Sequence, residues 1–299
     1  MTDFPTTRMG GGRTASGIAF DDQGSGPPLA LVHAGVADRR MWTDLALALE
    51  TSHRVIRHDA RGVGETMPPT GPWSHHTDLL AVLDHLLVER AHLVGASMGA
   101  GIAVEAALSR PGAVASLVLV APGGALLGDA PASFRPVWAA EVEALDRGDL
   151  DAAVELNLRA WVDGPNRSGD EVDPEIRAFV GRMQREAFEL PQWDPEEAPE
   201  HELSPPASNR FAELACPVLV VVGDADDPAI GEVAERIASE APSGHLVIVP
   251  GAGHMLTLEK PDRFLRLVRD FIVEPERVRS HPAAGDLDGS TASTVPVDG

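Results

Sequence analysis

The chain of 299 residues has no tyrosine and one cysteine, Cys216. Without tyrosine there is no phenol to serve as an acid or base. With one cysteine, intramolecular disulfides and cysteine metal clusters are excluded, and a reducing cytoplasm is the expected location. Lysine is nearly missing as well: Lys260 is the sole one, and arginine supplies the remaining basic side chains. No apolar run reaches the 18 or more residues of a membrane span. The stretch "MTDFPTTRMGGGRTASG" lacks the apolar middle of a signal peptide. Positive charge is scarce: 24 Lys+Arg stand against 46 Asp+Glu, a formal net charge of −22. Such a surface repels phosphate backbones and anionic bilayers, so neither nucleic acid nor membrane is an expected partner. "MGGGR" is not a phosphate loop, because it has no lysine–serine/threonine ending and no preceding strand.

What is present is alternation. Continuous apolar runs at 29–33, 55–58, 92–95, 116–121, 218–223 and 246–249 read as strands covered on both faces. Helical spacing falls between many of them. Leu79, Leu80, Leu83, Leu86 and Leu87 form one set, residues 100–109 another, and Phe264, Leu265, Leu267, Val268 and Phe271 a third. The fold class implied is α/β, a mostly parallel central sheet with helices on both faces. The alternation stops between Ala121 and Val218. Helical patterns at 137–145, 151–161 and 174–188 occupy that interval, with a proline-rich acidic loop, "QWDPEEAPEHELSPPASN", after them. The organisation expected is the first part of a sheet core over 1–122, a helical lid over 123–214, the second part of the core over 215–275, and a disordered tail over 276–299. A plain continuation of the sheet domain is the alternative to a lid.

The pentapeptide Gly95-Ala96-Ser97-Met98-Gly99 matches G-x-S-x-G, between "AHLV" and "AGIAVEAAL". A serine on a sharp strand-to-helix turn needs small residues two positions away on each side. The turn raises Ser97 Oγ above the carboxyl edge of the sheet, where the next helix directs its N-terminal amides. A simple turn serine is the plainer reading. A serine nucleophile needs a base. Of eleven histidines, His254 follows the last apolar run and precedes the last helix, which places it on the same edge. His75 and His76 read as a solvated helix start, His92 and His245 as strand beginnings, and His33 as a brace for its loop. The base needs a carboxylate to hold its tautomer. "PVLVVVGDADDPAI" offers Asp224, Asp226 and Asp227. Asp226 is preferred, three residues past Gly223, while Asp224 and Asp227 suit solvent or a helix cap. For the oxyanion, the amides of Met98 and Gly35 are the candidates, with Val36 next in the loop "VHAGVADRRMW". No metal or organic cofactor is required. Val36, Trp138, Trp161 and Met183, together with Phe134 and Trp193, are candidates to line a pocket. The plainer reading of the aromatics and Met183 is core of the helical segment.

With these residues in place, the chain resembles the α/β-hydrolase superfamily from about Ile18 to Val273. The likeness rests on "ALVHAG", "VIRHDARGVGET", "HLVGASMGAGIA", "PVLVVVGDADDP" and "VPGAGHMLTLEKPDRF". It implies a triad of Ser97, Asp226 and His254 and a structural loop at Asp59, Arg61, Gly62 and Gly64. Within the superfamily the pattern looks most like small serine esterases and lactonases, including the 3-oxoadipate enol-lactonase-like group. The implied substrate is a small carbonyl compound, an ester or lactone, cleaved through an acyl-enzyme on Ser97. Ser97 departs from the aspartate nucleophile of haloalkane dehalogenases. Met255 departs from the lysine of hydroxynitrile lyases. C–C bond hydrolases, cofactor-free perhydrolases or haloperoxidases, and a non-catalytic ligand-binding protein are the alternatives on the same scaffold.

Overall fold

Runs such as Leu29-Ala30-Leu31-Val32 have no polar face to turn to water, so they bury both faces in a sheet. The computed structural model describes residues 10–128 and 131–274. Its eight strands are β1 (Gly10–Arg13), β2 (Ala19–Gly24), β3 (Pro28–Val32), β4 (Arg54–His58), β5 (Ala91–Ala96), β6 (Val114–Val120), β7 (Val218–Gly223) and β8 (Gly244–Val249). They form one sheet in the order β1-β2-β4-β3-β5-β6-β7-β8. β2 pairs antiparallel with β1 and β4, and every pair from β4 to β8 is parallel. β1 and β2 carry no continuous apolar run. They are the two strands that hydrophobic patterning does not reveal; β1 is fully exposed.

Helices cross over between strands at α1 (Thr43–Leu49), α2 (His75–His85), α3 (Met98–Ser109) and α7 (Pro228–Glu240), while α8 (Leu256–Glu259) and α9 (Pro261–Val273) follow the last strand. Between β6 and β7 lie α4 (Arg135–Asp146), α5 (Leu150–Leu158) and α6 (Pro174–Glu189), with no named strand among them. α5 runs into a π-helical turn, Arg159–Asp163. The core lies between the sheet and the helices packed on it, with Trp42, Phe264 and Phe271 among its largest side chains. Ten of the twelve residues of α3, Gly99 to Leu108, are buried, because small alanines let the helix approach the strands closely. No helix among the described residues is long and apolar enough to cross a membrane. The tail expected over 276–299 lies outside the described residues.

The strand order decides where a site can form. From β3 the chain steps one way to β4, then returns past β3 to β5. The loops that leave β3 and β5 therefore diverge and open a crevice at the carboxyl edge, where ligands sit in doubly wound sheets. The turn and loop expected to hold Ser97 and Gly35 are those two loops.

One expectation is overturned. His75 and His76 are not a solvated helix start. His76 is 5 % exposed and its Nδ1 lies 3.3 Å from Glu105 on α3. His75 stacks edge-on against Trp73 at 4.5 Å between ring centroids. Burial, reinforced by His33, Arg61 and His76, pushes the pKa of His75 down to about 3. The physical cause is the loop after α6, which folds back over α2. Trp73 bridges to Glu200, and Glu200 approaches His75 at 3.8 Å. Glu200 is itself only partly covered at that contact, and its partial burial with Glu202 and Glu105 nearby lifts its pKa to about 7.

Candidate active site

β5 ends at Ala96, and the next residue turns the chain directly into α3. Ser97 takes φ 51° and ψ −114°, a conformation that L-residues avoid. The turn closes because its neighbours lack side chains. A Cβ on Gly95 would overlap the Gly99 carbonyl, and one on Gly99 would overlap the carbonyl of Val32 on β3. Ser97 N donates to Val120 O at 2.8 Å, which ties the turn to β6.

His254 and Asp226 arrive from the two strands beyond. The loops after β7 and β8 are zipped together: Ala225 N donates to Ala252 O at 3.0 Å, and Gly251 N donates to Asp224 Oδ1 at 2.7 Å. Gly223 is needed there because a Cβ would overlap the carbonyl of Ala252. Asp227 caps α7 by accepting from Ala229 N. Of the three aspartates, Asp226 alone faces the imidazole. Its Oδ2 and Oδ1 lie 2.9 and 3.1 Å from His254 Nδ1, and Oδ1 also accepts from Asp227 N at 2.7 Å. On the far side of the ring, His254 Nε2 lies 2.9 Å from Ser97 Oγ. Asp226 and His254 are 9 % and 5 % exposed. With a carboxylate on Nδ1, the ring keeps its proton there and leaves Nε2 to accept from the hydroxyl.

The loop after β3 faces the start of α3. A Cβ built on Gly35 would sit 3.7 Å from the Met98 side chain. The amides of Gly35 and Met98 therefore belong to segments in contact across the crevice. Val36 is buried beside them. His33 has no ring nitrogen to spare: Nε2 accepts from Ala60 N at 2.9 Å and Nδ1 lies 2.8 Å from Ala34 O. It braces the loops after β3 and β4. In the latter loop Asp59 Oδ1 accepts from Arg39 N at 2.9 Å and Oδ2 from Glu65 N at 2.8 Å, and Arg61 pairs with Asp78 at 2.6 Å.

Of two glycines that sequence reasoning passed over, one touches the serine and the other touches Met98 beside it. Gly123 N donates to Ser97 O at 3.1 Å, and a Cβ on Gly123 would lie 3.1 Å from Ser97 Oγ. Gly124, at φ 60°, would put a Cβ 3.1 Å from Met98 Cα. The signal available was the Gly-Gly pair that follows the end of β6 after two residues. From the helical segment, Trp161 in the π-turn packs on His254 with 5.0 Å between ring centroids. Phe134 stacks on Trp161 at 4.6 Å and Trp138 on Phe134 at 5.9 Å. Trp138, the outermost, is 37 % exposed. Met183 is buried on α6, and Trp193 packs against Trp73 and Gly62, on the far side of β3 from β5. Among the described residues no group of three or more His, Cys, Asp or Glu side chains is arranged to hold a metal ion.

The match to a family model covers most of this framework: residues 29–267 fit that of the alpha/beta hydrolase family. The chain belongs to that family. This hydrolase is 28 % identical over 271 residues to the 2-hydroxy-6-oxononadienedioate/2-hydroxy-6-oxononatrienedioate hydrolase of Burkholderia vietnamiensis, covering 85 % of this chain and 90 % of the relative. Among solved structures it is similar to a thermophilic esterase from Thermogutta terrifontis, with TM-score 0.69 and 25 % identity over 92 % of this chain and all of the other. The enol-lactonase of Burkholderia xenovorans shares the fold at TM-score 0.66 and 22 % identity, over 86 % of this chain and 96 % of that one. That the hydrolase is an enzyme follows from these relatives.

Proposed function

We propose that the protein is a serine hydrolase acting on a small ester or lactone, with Ser97 as nucleophile, His254 as base and Asp226 as its orienting carboxylate. The observation that carries the reading is the unbroken chain from carboxylate to imidazole to hydroxyl, with 2.9 Å at each link. In the first half-reaction Ser97 Oγ attacks the carbonyl carbon while His254 Nε2 takes the hydroxyl proton. The amides of Met98 and Gly35 receive the oxyanion. As the tetrahedral intermediate collapses, the C–O bond to the leaving group breaks and His254 returns the proton to the departing oxygen. Water then attacks the acyl-enzyme with His254 again as base, and Ser97 is regenerated with release of the acid. Each step is acid–base and acyl-transfer chemistry, which these groups supply without a cofactor.

Residues 123–214 act as a cap in this reading, between core parts 1–122 and 215–275. Trp161 reaches the histidine from the cap, and Phe134 and Trp138 continue the apolar wall outward. With Val36 opposite, that wall suits a neutral acyl group. Met183 supports it from within α6. The esterase and enol-lactonase favour an ester or lactone over a dienedioate of the kind named for the Burkholderia vietnamiensis relative. A panel of nitrophenyl esters, lactones and dienedioate diketones separates the two. The decisive experiment is labelling with a fluorophosphonate probe alongside ester hydrolysis. Wild type is expected to label and turn over, and Ser97→Ala to lose both with the fold intact. Full activity in Ser97→Ala refutes the assignment.

A further inference from the structure

The loop carrying His254 and the π-turn carrying Trp161 are joined by one guanidinium. Arg167 follows the π-turn. Its Nη1 donates to Glu259 Oε2 at 2.6 Å and its Nη2 to Glu259 Oε1 at 3.2 Å. The same side chain turns back on its own segment, where Nη2 donates to Val162 O at 2.9 Å and Nε to Asp163 O at 2.8 Å. Those carbonyls close the π-turn that presents Trp161 to the imidazole. Glu259 turns back in the same way, for its Oε1 accepts from Gly253 N at 3.1 Å, the amide immediately before His254. The two side chains are 14 % and 8 % exposed, so the pair is largely desolvated.

The position before the histidine is built to admit this pair. A Cβ on Gly253 would overlap Arg167 Nη2 and lie 3.1 Å from Glu259 Oε1. The guanidinium thus lies against the peptide that sets the direction of the His254 side chain. A planar fork with five donors can satisfy a carboxylate and two carbonyls at once, which an ammonium cannot.

We propose that Arg167 and Glu259 are a positioning pair for catalysis, holding the His254 loop in register with the π-turn so that Nε2 stays on Ser97 Oγ and Trp161 stays on the ring. Neither residue touches substrate. This inference rests on the reading of Ser97 and His254 given above. The pair acts on the rate of proton transfer, since misplacing a catalytic group by about 1 Å costs on the order of a hundredfold.

The test uses the full chain, a short-chain nitrophenyl ester and a fluorophosphonate probe. Arg167→Met and Glu259→Gln are each expected to lower kcat and the labelling rate constant by roughly 10- to 100-fold, with KM changed less than about threefold. The double variant is expected to be no slower than the slower single one, because both remove one link. Arg167→Lys, which keeps the charge opposite Glu259, is expected to regain part of the loss. Gly253→Ala displaces the guanidinium with both partners present. It is expected to reproduce the kcat loss, and it decides the matter if Arg167→Met does not fold. Folded variants with kcat and labelling within twofold of wild type, or single losses that multiply in the double, overturn the proposal. If wild type labels at Ser97 while these variants label as fast, only the positioning role falls. A wild type unlabelled at Ser97 removes both readings.

Discussion

The sheet rim and the helical segment above it reach the same imidazole by opposite means. On the rim, backbone does the positioning. Ser97 sits at a strained φ because Gly95 and Gly99 let strand and helix close on each other, and Gly223 lets the Asp226 and His254 loops touch. β5, β6 and β7 are almost wholly buried. Beyond the Gly123 amide on Ser97 O, the helical segment reaches the imidazole and its loop through side chains, Trp161 on the ring and Arg167 on Glu259. Its α4 has one buried residue, Ala144. Backbone packed on a sheet gives one geometry at high cost of change, whereas side chains on an amphipathic helix can be exchanged. Fixed chemistry and adjustable substrate choice would be divided along that line.

Breaking the rim is expected to cost most. Asp226→Asn leaves the packing alone but favours the wrong imidazole tautomer, so kcat is expected to fall by about 10³- to 10⁴-fold in steady-state ester hydrolysis. An effect under tenfold would point to Asp224 or Asp227 as substitute. Gly99→Ala attacks the backbone fit itself. Its Cβ meets the carbonyls of Val32 and His33, and α3 must lift from β3. A loss of about 3 kcal/mol in stability is expected in urea unfolding, with activity falling alongside. An unchanged midpoint would show the rim to be more pliable than its contacts imply.

Changes above the rim are expected to be gentler. Trp161→Ala removes the wall over His254 and is expected to raise KM by roughly tenfold, the worth of part of an aromatic side chain, with kcat moved much less. A kcat loss as large as that of Asp226→Asn would erase the distinction between the two regions. The smallest effect concerns the loop after α6. The Glu200 pKa stands at about 7 against an ordinary 4.5, so between those values the folded chain holds a proton that the unfolded chain has released. Its contribution to stability is present below about pH 4.5 and is lost as pH rises through 7. Glu200→Gln is therefore expected to gain in Tm over wild type as pH rises from 4.5 to 7.5, then level off. Since Glu200 is 40 % exposed at its side chain, solvent screening keeps the gain to a few degrees. A difference flat with pH would refute the burial argument.

Much of the site was legible in the chain because its logic is local. An apolar strand, a small-residue turn and a helix can be read from consecutive residues, so Ser97, Asp226 and His254 are candidates from the chain alone. β1 and β2 were not legible, since an edge hairpin has no continuous apolar run to betray it. His75 and His76 read as solvated in the chain because the residues beside them, Glu200 against His75 and Glu105 against His76, are distant in sequence. Arg167 and Glu259 looked like two more charges in an acidic chain, and 92 residues separate them.

By itself the sequence determined the six apolar strands and most of the helices between them, where the backbone must turn without side chains, and which residues are candidates for the chemistry. Those follow from hydrophobic period and steric allowance, which neighbouring residues fix. The tertiary structure alone decided which histidines lose their water and which arginine binds the helical segment to the rim, and it sets Asp226, the aspartate already preferred, against the imidazole. Such choices depend on strand order and on loops that meet across the carboxyl edge, and contacts between distant segments leave no periodic trace in the chain.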